Sequence, residues 1–172
     1  MRLPVLFAAL SLAAALPGAA LAQTPPPAAG PTSGVSVAET RAWLTGLGGS
    51  VGEPVVGDGV TSLHVADQPL PWNLTFYECG PSLCDDVQYS AIFSGPITAD
   101  QINAWNREQR FLKAFFVPAT AGGEASAVVQ YDVVLTGAGT GQLQEPTVIW
   151  LQMLRSFAET LVAAAPDAAP AQ

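Results

Sequence analysis

The chain has 172 residues, 49% of them hydrophobic and 12% charged, with 14 acids against 6 Lys and Arg and a formal charge of −8. That acid excess repels nucleic-acid phosphates and anionic lipid headgroups, so neither is an expected partner. Two cysteines and a lone histidine, His64, supply too few ligands for a structural zinc site.

Residues 1–22 open with Arg2, run apolar from Leu3 to Leu16, break at Pro17-Gly18 and end in Ala20-Leu21-Ala22. This order predicts a secretory signal peptide cleaved after Ala22, and hence an exported, most simply periplasmic, protein. A membrane anchor needs about 20 uninterrupted apolar residues, which this run does not reach, so no membrane insertion is expected after cleavage. Removal of Arg2 leaves Arg41, Arg107, Arg110, Lys113 and Arg155 against the fourteen acids. Residues 23–34 are proline-rich and uncharged and read as a linker; residues 163–172 read as an Ala/Pro tail. Between them, residues 35–162 are long enough for one domain with its own core.

Within that domain, Ser36-x-x-Glu39 is a helix-start signature, and Gly48-Gly49 a stop, so a helix is predicted over Val37 to Leu47 with Leu44 and Leu47 on its apolar side. Short strands are expected at Pro54 to Val56 and Thr61 to Ala66 around the turn Gly57-Asp58-Gly59. Strict alternation at Trp72, Leu74 and Phe76, and again at Val87, Tyr89, Ala91 and Phe93, predicts a longer hairpin closed by the Cys79 to Cys84 loop. Thr98-x-x-Gln101 opens a second helix to about Phe111, with Ile102, Trp105 and Gln109 on one face. Strands at Lys113 to Val117 and Ala127 to Leu135 follow, and a last helix beginning near Gln142 or Pro146 carries Ile149, Met153, Phe157 and Leu161. The order α-β-β-β-β-α-β-β-α predicts an α+β domain, a mainly antiparallel sheet with helices packed on it.

The order of elements, the strand Trp72 to Cys79 with its cysteine-bearing turn, the segment Ile102 to Phe111 around Trp105-Asn106-Arg107, the strand ending Tyr131-Asp132-Val133-Val134-Leu135 and the closing helix with Phe157 together resemble a YbjN-family domain. The resemblance covers nearly all of residues 35–162. It implies a fold similar to type III secretion chaperones, a sensory-transduction regulatory role, and structural roles for Trp105, Asn106, Phe111, Asp132 and Phe157. It implies no catalytic residue.

Cys79 and Cys84 flank a turn that brings two sulfurs together, and in an oxidising compartment they are expected to form a structural disulfide. Their spacing is not that of a redox C-x-x-C motif. His64 sits in Leu63-His64-Val65, facing away from its apolar neighbours, which an exposed strand position explains without chemistry. Asp85 and Asp86 are adjacent in a strand and so face opposite sides, which disfavours an acid and base pair. Gly137, Gly139 and Gly141 lack phosphate-loop spacing and read as a flexible connection. Arg107, Arg110 and Lys113 gather three cations within seven residues, the two arginines one helical turn apart, and form the expected docking point for a partner or anionic group. The expected function is a non-catalytic, exported, protein-binding or chaperone-like regulatory domain without cofactor or metal, most simply a homodimer. The alternative is a small-ligand sensor or enzyme using Arg107, Arg110 and His64.

Overall fold

A computed structural model describes residues 33–66 and 70–163. The signal peptide expected at 1–22, the linker up to 32 and the tail from 164 lie outside the described residues. Ser36 accepts a hydrogen bond from the Glu39 amide and starts α1 (Val37–Gly46). The helix buries Thr40 and Leu44, whereas Leu47, just past its end, is mostly exposed. β1 (Val55–Gly57) and β2 (Val60–Val65) form a hairpin whose turn places Asp58 and Gly59 at φ 50° and 81°. Such left-handed pairs match the twist of a two-residue hairpin. β3 (Trp72–Cys79) and β4 (Cys84–Gly95) form the long central hairpin. A complete capping box at Thr98 and Gln101 opens α2 (Ala99–Glu108). β5 (Lys113–Val117), β6 (Ala125–Val134), a 3-10 turn at Thr140–Leu143 and α3 (Gln144–Ala163) complete the chain.

The strands make one six-stranded, wholly antiparallel sheet in the order β1-β2-β3-β4-β6-β5. Register sets Leu63 against Leu74 against Tyr89 against Tyr131, and this side of the sheet meets the helices. Trp72, Leu74, Phe76, Val87 and Tyr89 are buried there under α3, whose Trp150, Leu154 and Phe157 are fully buried. Of the expected stripe Phe157 lies fully in the core, while Trp150 and Leu154 complete the inner face and Ile149, Met153 and Leu161 lie on its flanks. Tyr89 stacks on Trp72 at 5.5 Å and on Tyr131 at 6.0 Å, and its hydroxyl shares a 2.8 Å hydrogen bond with Thr147. Burial pushes the Tyr89 phenol well above its ordinary range, so this hydroxyl is a permanent polar tie in an apolar core. Among the described residues no helix covers the opposite face of the sheet.

The glycine-rich connection is pinned rather than flexible. Gln142 donates to the carbonyls of Gly137 and Gly139 and accepts from the Gly137 amide, while Gly34 exchanges backbone hydrogen bonds with Gly137 and Gly139. Gly34 has φ 110°, and a Cβ there would meet the Cys84 carbonyl oxygen at 2.1 Å, so the residue in front of the domain is glycine for lack of space.

Candidate functional site

At the β5 border of the sheet, α2 ends at Glu108, because the chain must turn at Gln109 (φ −97°, ψ 137°) to bury Leu112 and feed Lys113 into β5. The helix therefore stops short of the expected Phe111, and Arg110 does not share a helical face with Arg107. Asn106 points at β5: its amide nitrogen donates to the Ala114 carbonyl at 2.8 Å and its amide oxygen accepts from the Ala114 amide at 2.9 Å. Trp105 donates its indole N–H to the Leu112 carbonyl at 3.2 Å and lays its ring edge-on to Phe157 at 4.9 Å. Lys113 returns the contact, donating to the carbonyls of Asn106 and Gln109 at 3.0 and 2.6 Å. Asn106 thus occupies the outward-facing N–H and C=O of Ala114 on an edge strand, groups that would otherwise template pairing with another chain, and Trp105 holds the carbonyl just before that strand.

Lys113 is committed to the helix end, where a cation complements the carbonyl dipoles. Arg110 lies over the Phe111 ring at 5.5 Å and lines a shallow cleft with Phe111, Lys113, Phe115, Gln130, Tyr131 and Asp132. Arg107 is exposed on the last turn of α2 and does not line that cleft. His64 is exposed on β2 and shares a 3.0 Å hydrogen bond between Nδ1 and Asn73 Oδ1. Four strand spacings, about 19 Å, separate β2 from β5, so His64 does not join the arginines. Phe111 is half-exposed and meets Tyr131 edge-on at 6.4 Å, Asp132 is exposed and accepts from Gln88 at 2.7 Å, and Phe157 is fully buried. Cys79 and Cys84 are disulfide-bonded as a facing pair at the end of the β3–β4 hairpin.

The helix-free face is organised in rows. Phe115, Val128 and Ile92 stand in line across β5, β6 and β4, flanked by Val117. Ile92 is 67% exposed, Phe115 55% and Val117 44%. Together they leave on the order of a few hundred Å² of apolar side chain in water, the size of the largest patch on a typical monomer, which is often functional. Beyond a polar ladder of Gln130, Gln88 and Asp132, the face ends in Asp86 paired with the exposed Val134. Asp86 is held above its ordinary value by partial burial, then by the charges of Asp132, Asp85 and Glu78. Among the described residues no group of three or more His, Cys, Asp or Glu converges to hold a metal ion. Sequence reasoning missed this row because Ile92, Phe115 and Val128 register locally only as good strand formers.

An antiparallel sheet with helices on one side and an apolar row on the other defines an open-faced α+β domain. The chain belongs to the YbjN family, whose sequence profile, described as "Putative bacterial sensory transduction regulator", matches residues 36–163. Among solved structures it is similar to the crystal structure of YbjN, "a putative transcription regulator from E. coli", with 18% identity over 70% of this chain and 81% of that chain and a TM-score of 0.45. No curated protein matches the chain.

Proposed function

We propose that this domain is a non-catalytic, regulatory binding module for another polypeptide, that it works in an exported and most simply periplasmic setting, and that the helix-free face of the sheet is its binding surface. The observation that carries the reading is the row of exposed Ile92 and Phe115 with half-buried Val128 between them, on the sheet face that no helix among the described residues covers. The disulfide accords with an oxidising compartment, and among the described residues no helix is long and apolar enough to cross a membrane. The separation of His64 from Arg110 removes the geometric basis for a shared small-ligand site. Arg107 and Arg110 keep a subsidiary place at the β5 border, where exposed charge sets association rate and specificity more than affinity.

The test is site-specific photo-crosslinking in cells, with the reactive side chain placed at Ile92 or Phe115 and, as a control, at exposed Glu159 on α3. Adducts from the sheet positions that disappear on Val128→Asp support the reading, and a self-adduct among them identifies a second copy as the partner. Adducts from Glu159 alone, or none from the sheet face, would overturn it.

A further inference from the structure

We infer that the open face is built to receive an amphipathic helix of another polypeptide that carries basic residues toward one end; this rests on the reading of that face as the binding surface. The backbone narrows the obvious alternative. An extended partner needs a free strand edge, and at β5 the Asn106 carboxamide already occupies both the N–H and the C=O of Ala114 while the Trp105 indole holds the carbonyl of Leu112 just before the strand, which leaves only the Phe116 end of this five-residue strand open. At the other border β1 is three residues long and offers little ladder. A helix satisfies its own backbone hydrogen bonds, so it can lie on side chains alone and bury an apolar stripe.

The chemistry of the face supplies the polarity of that helix. Its apolar end is the row Phe115, Val128 and Ile92, and its other end holds Asp132 and Asp86 around the exposed Val134, with Asp85 and Glu78 behind them. Among the described residues the one ion pair is Arg41 with Glu53, remote from these carboxylates. Lys113 and Arg110 line the cleft beside Asp132, yet neither is within ion-pair distance of it, and Lys113 is spent on the carbonyls of α2. Val128 and Asp132 lie four residues apart along β6, about 13 Å, which a helix covers in roughly nine residues. The fitting segment therefore has apolar residues at helical spacing over about two turns and Lys or Arg two to three turns further on.

The experiment uses mature, disulfide-intact protein and two synthetic helical peptides of about 18 residues, each with a leucine stripe, one ending in lysines and the other in glutamates at the same positions. Binding is read by fluorescence anisotropy at low and moderate salt, for wild type, Asp86→Asn/Asp132→Asn and Ile92→Ser/Phe115→Ser. The lysine peptide is expected to bind about tenfold more tightly than the glutamate peptide, with the difference lost in the Asn variant and reduced by salt. The Ser variant loses both peptides. Because the Asn substitutions relieve like-charge crowding, the variant melts no lower than wild type, so lost binding is not lost folding. Equal binding of the two peptides with dependence on Ile92 and Phe115 intact would overturn the cationic helix and leave the binding face standing. Binding of either peptide that is indifferent to Ile92 and Phe115, or no binding of either, would overturn the helix proposal, and adducts confined to Glu159 in the crosslinking experiment would remove the face itself.

Discussion

Replacing Asn106 by alanine should destabilise the domain, although alanine is the better helix former. Two hydrogen bonds join the Asn106 carboxamide to Ala114, and Ala114 is only 2% exposed. Each such bond contributes about 1 kcal/mol net, and a donor or acceptor left unmet in a buried setting costs about 1–3 kcal/mol. Water reaching the β5 edge recovers part of this, and the gain in helix propensity returns roughly 0.5 kcal/mol. The net expectation is a loss of about 2–3 kcal/mol, which in a domain of this size lowers the melting temperature by roughly 10 °C. The assay is urea unfolding at equilibrium, combined with amide hydrogen exchange at Ala114, which should accelerate selectively. Asn106→Asp offers a second reading, because the carboxylate can still accept from the Ala114 amide but confronts its carbonyl with no donor. It should recover no more than part of the loss at neutral pH. If Asn106 mattered only as a helix residue, alanine would stabilise the protein by a few tenths of a kcal/mol and leave exchange at Ala114 unchanged; that pair of results would refute the clasp.

Trp105→Ala removes a nearly fully buried ring packed on Phe157 and should cost about 3–5 kcal/mol in the same urea assay; an unchanged melting temperature would show that the ring contributes no packing. Alkylation of purified mature protein before reduction should find no free thiol, and reduction of the Cys79–Cys84 bridge should lower stability by about 2 kcal/mol on the loop-entropy account; two reactive thiols would contradict the bridge. The Asp86 carboxyl lies above its ordinary value of 3.8, first through burial and then through neighbouring carboxylates. A carboxyl raised on folding favours the folded state when protonated, and that contribution is lost as pH rises through the folded-state value. Asp86→Asn should therefore raise the melting temperature at pH 7 by a small amount that fades as the pH falls through the raised folded-state value and is gone below the ordinary 3.8; a gain independent of pH would place its cause elsewhere.

The sequence alone determined what depends on near neighbours. Ser36 and Thr98 start helices because a capping side chain needs only the amide three residues on, and both helices begin where those signatures place them. The alternation at Trp72, Leu74 and Phe76 and at Val87, Tyr89 and Ala91 identified the buried face, since strand periodicity is written into consecutive positions. The pairing of Cys79 with Cys84 was legible for the same reason, being closed by one short turn. Tertiary structure decided everything that joins distant segments. The end of α2 was overestimated because the pull that unwinds it, burial of Leu112 and entry of Lys113 into the sheet, comes from β6 rather than from residues 109–111. Asn106 reads locally as an ordinary helix residue, and its role appears only when β5 turns the backbone of Ala114 outward. The insertion of β6 between β4 and β5 is what brings Ile92, Val128 and Phe115, which span more than twenty residues of sequence, into one row on an uncovered face. Strand order and register are non-local choices made by the packing of whole elements, and no local pattern of polar and apolar residues encodes which exposed strand positions will meet.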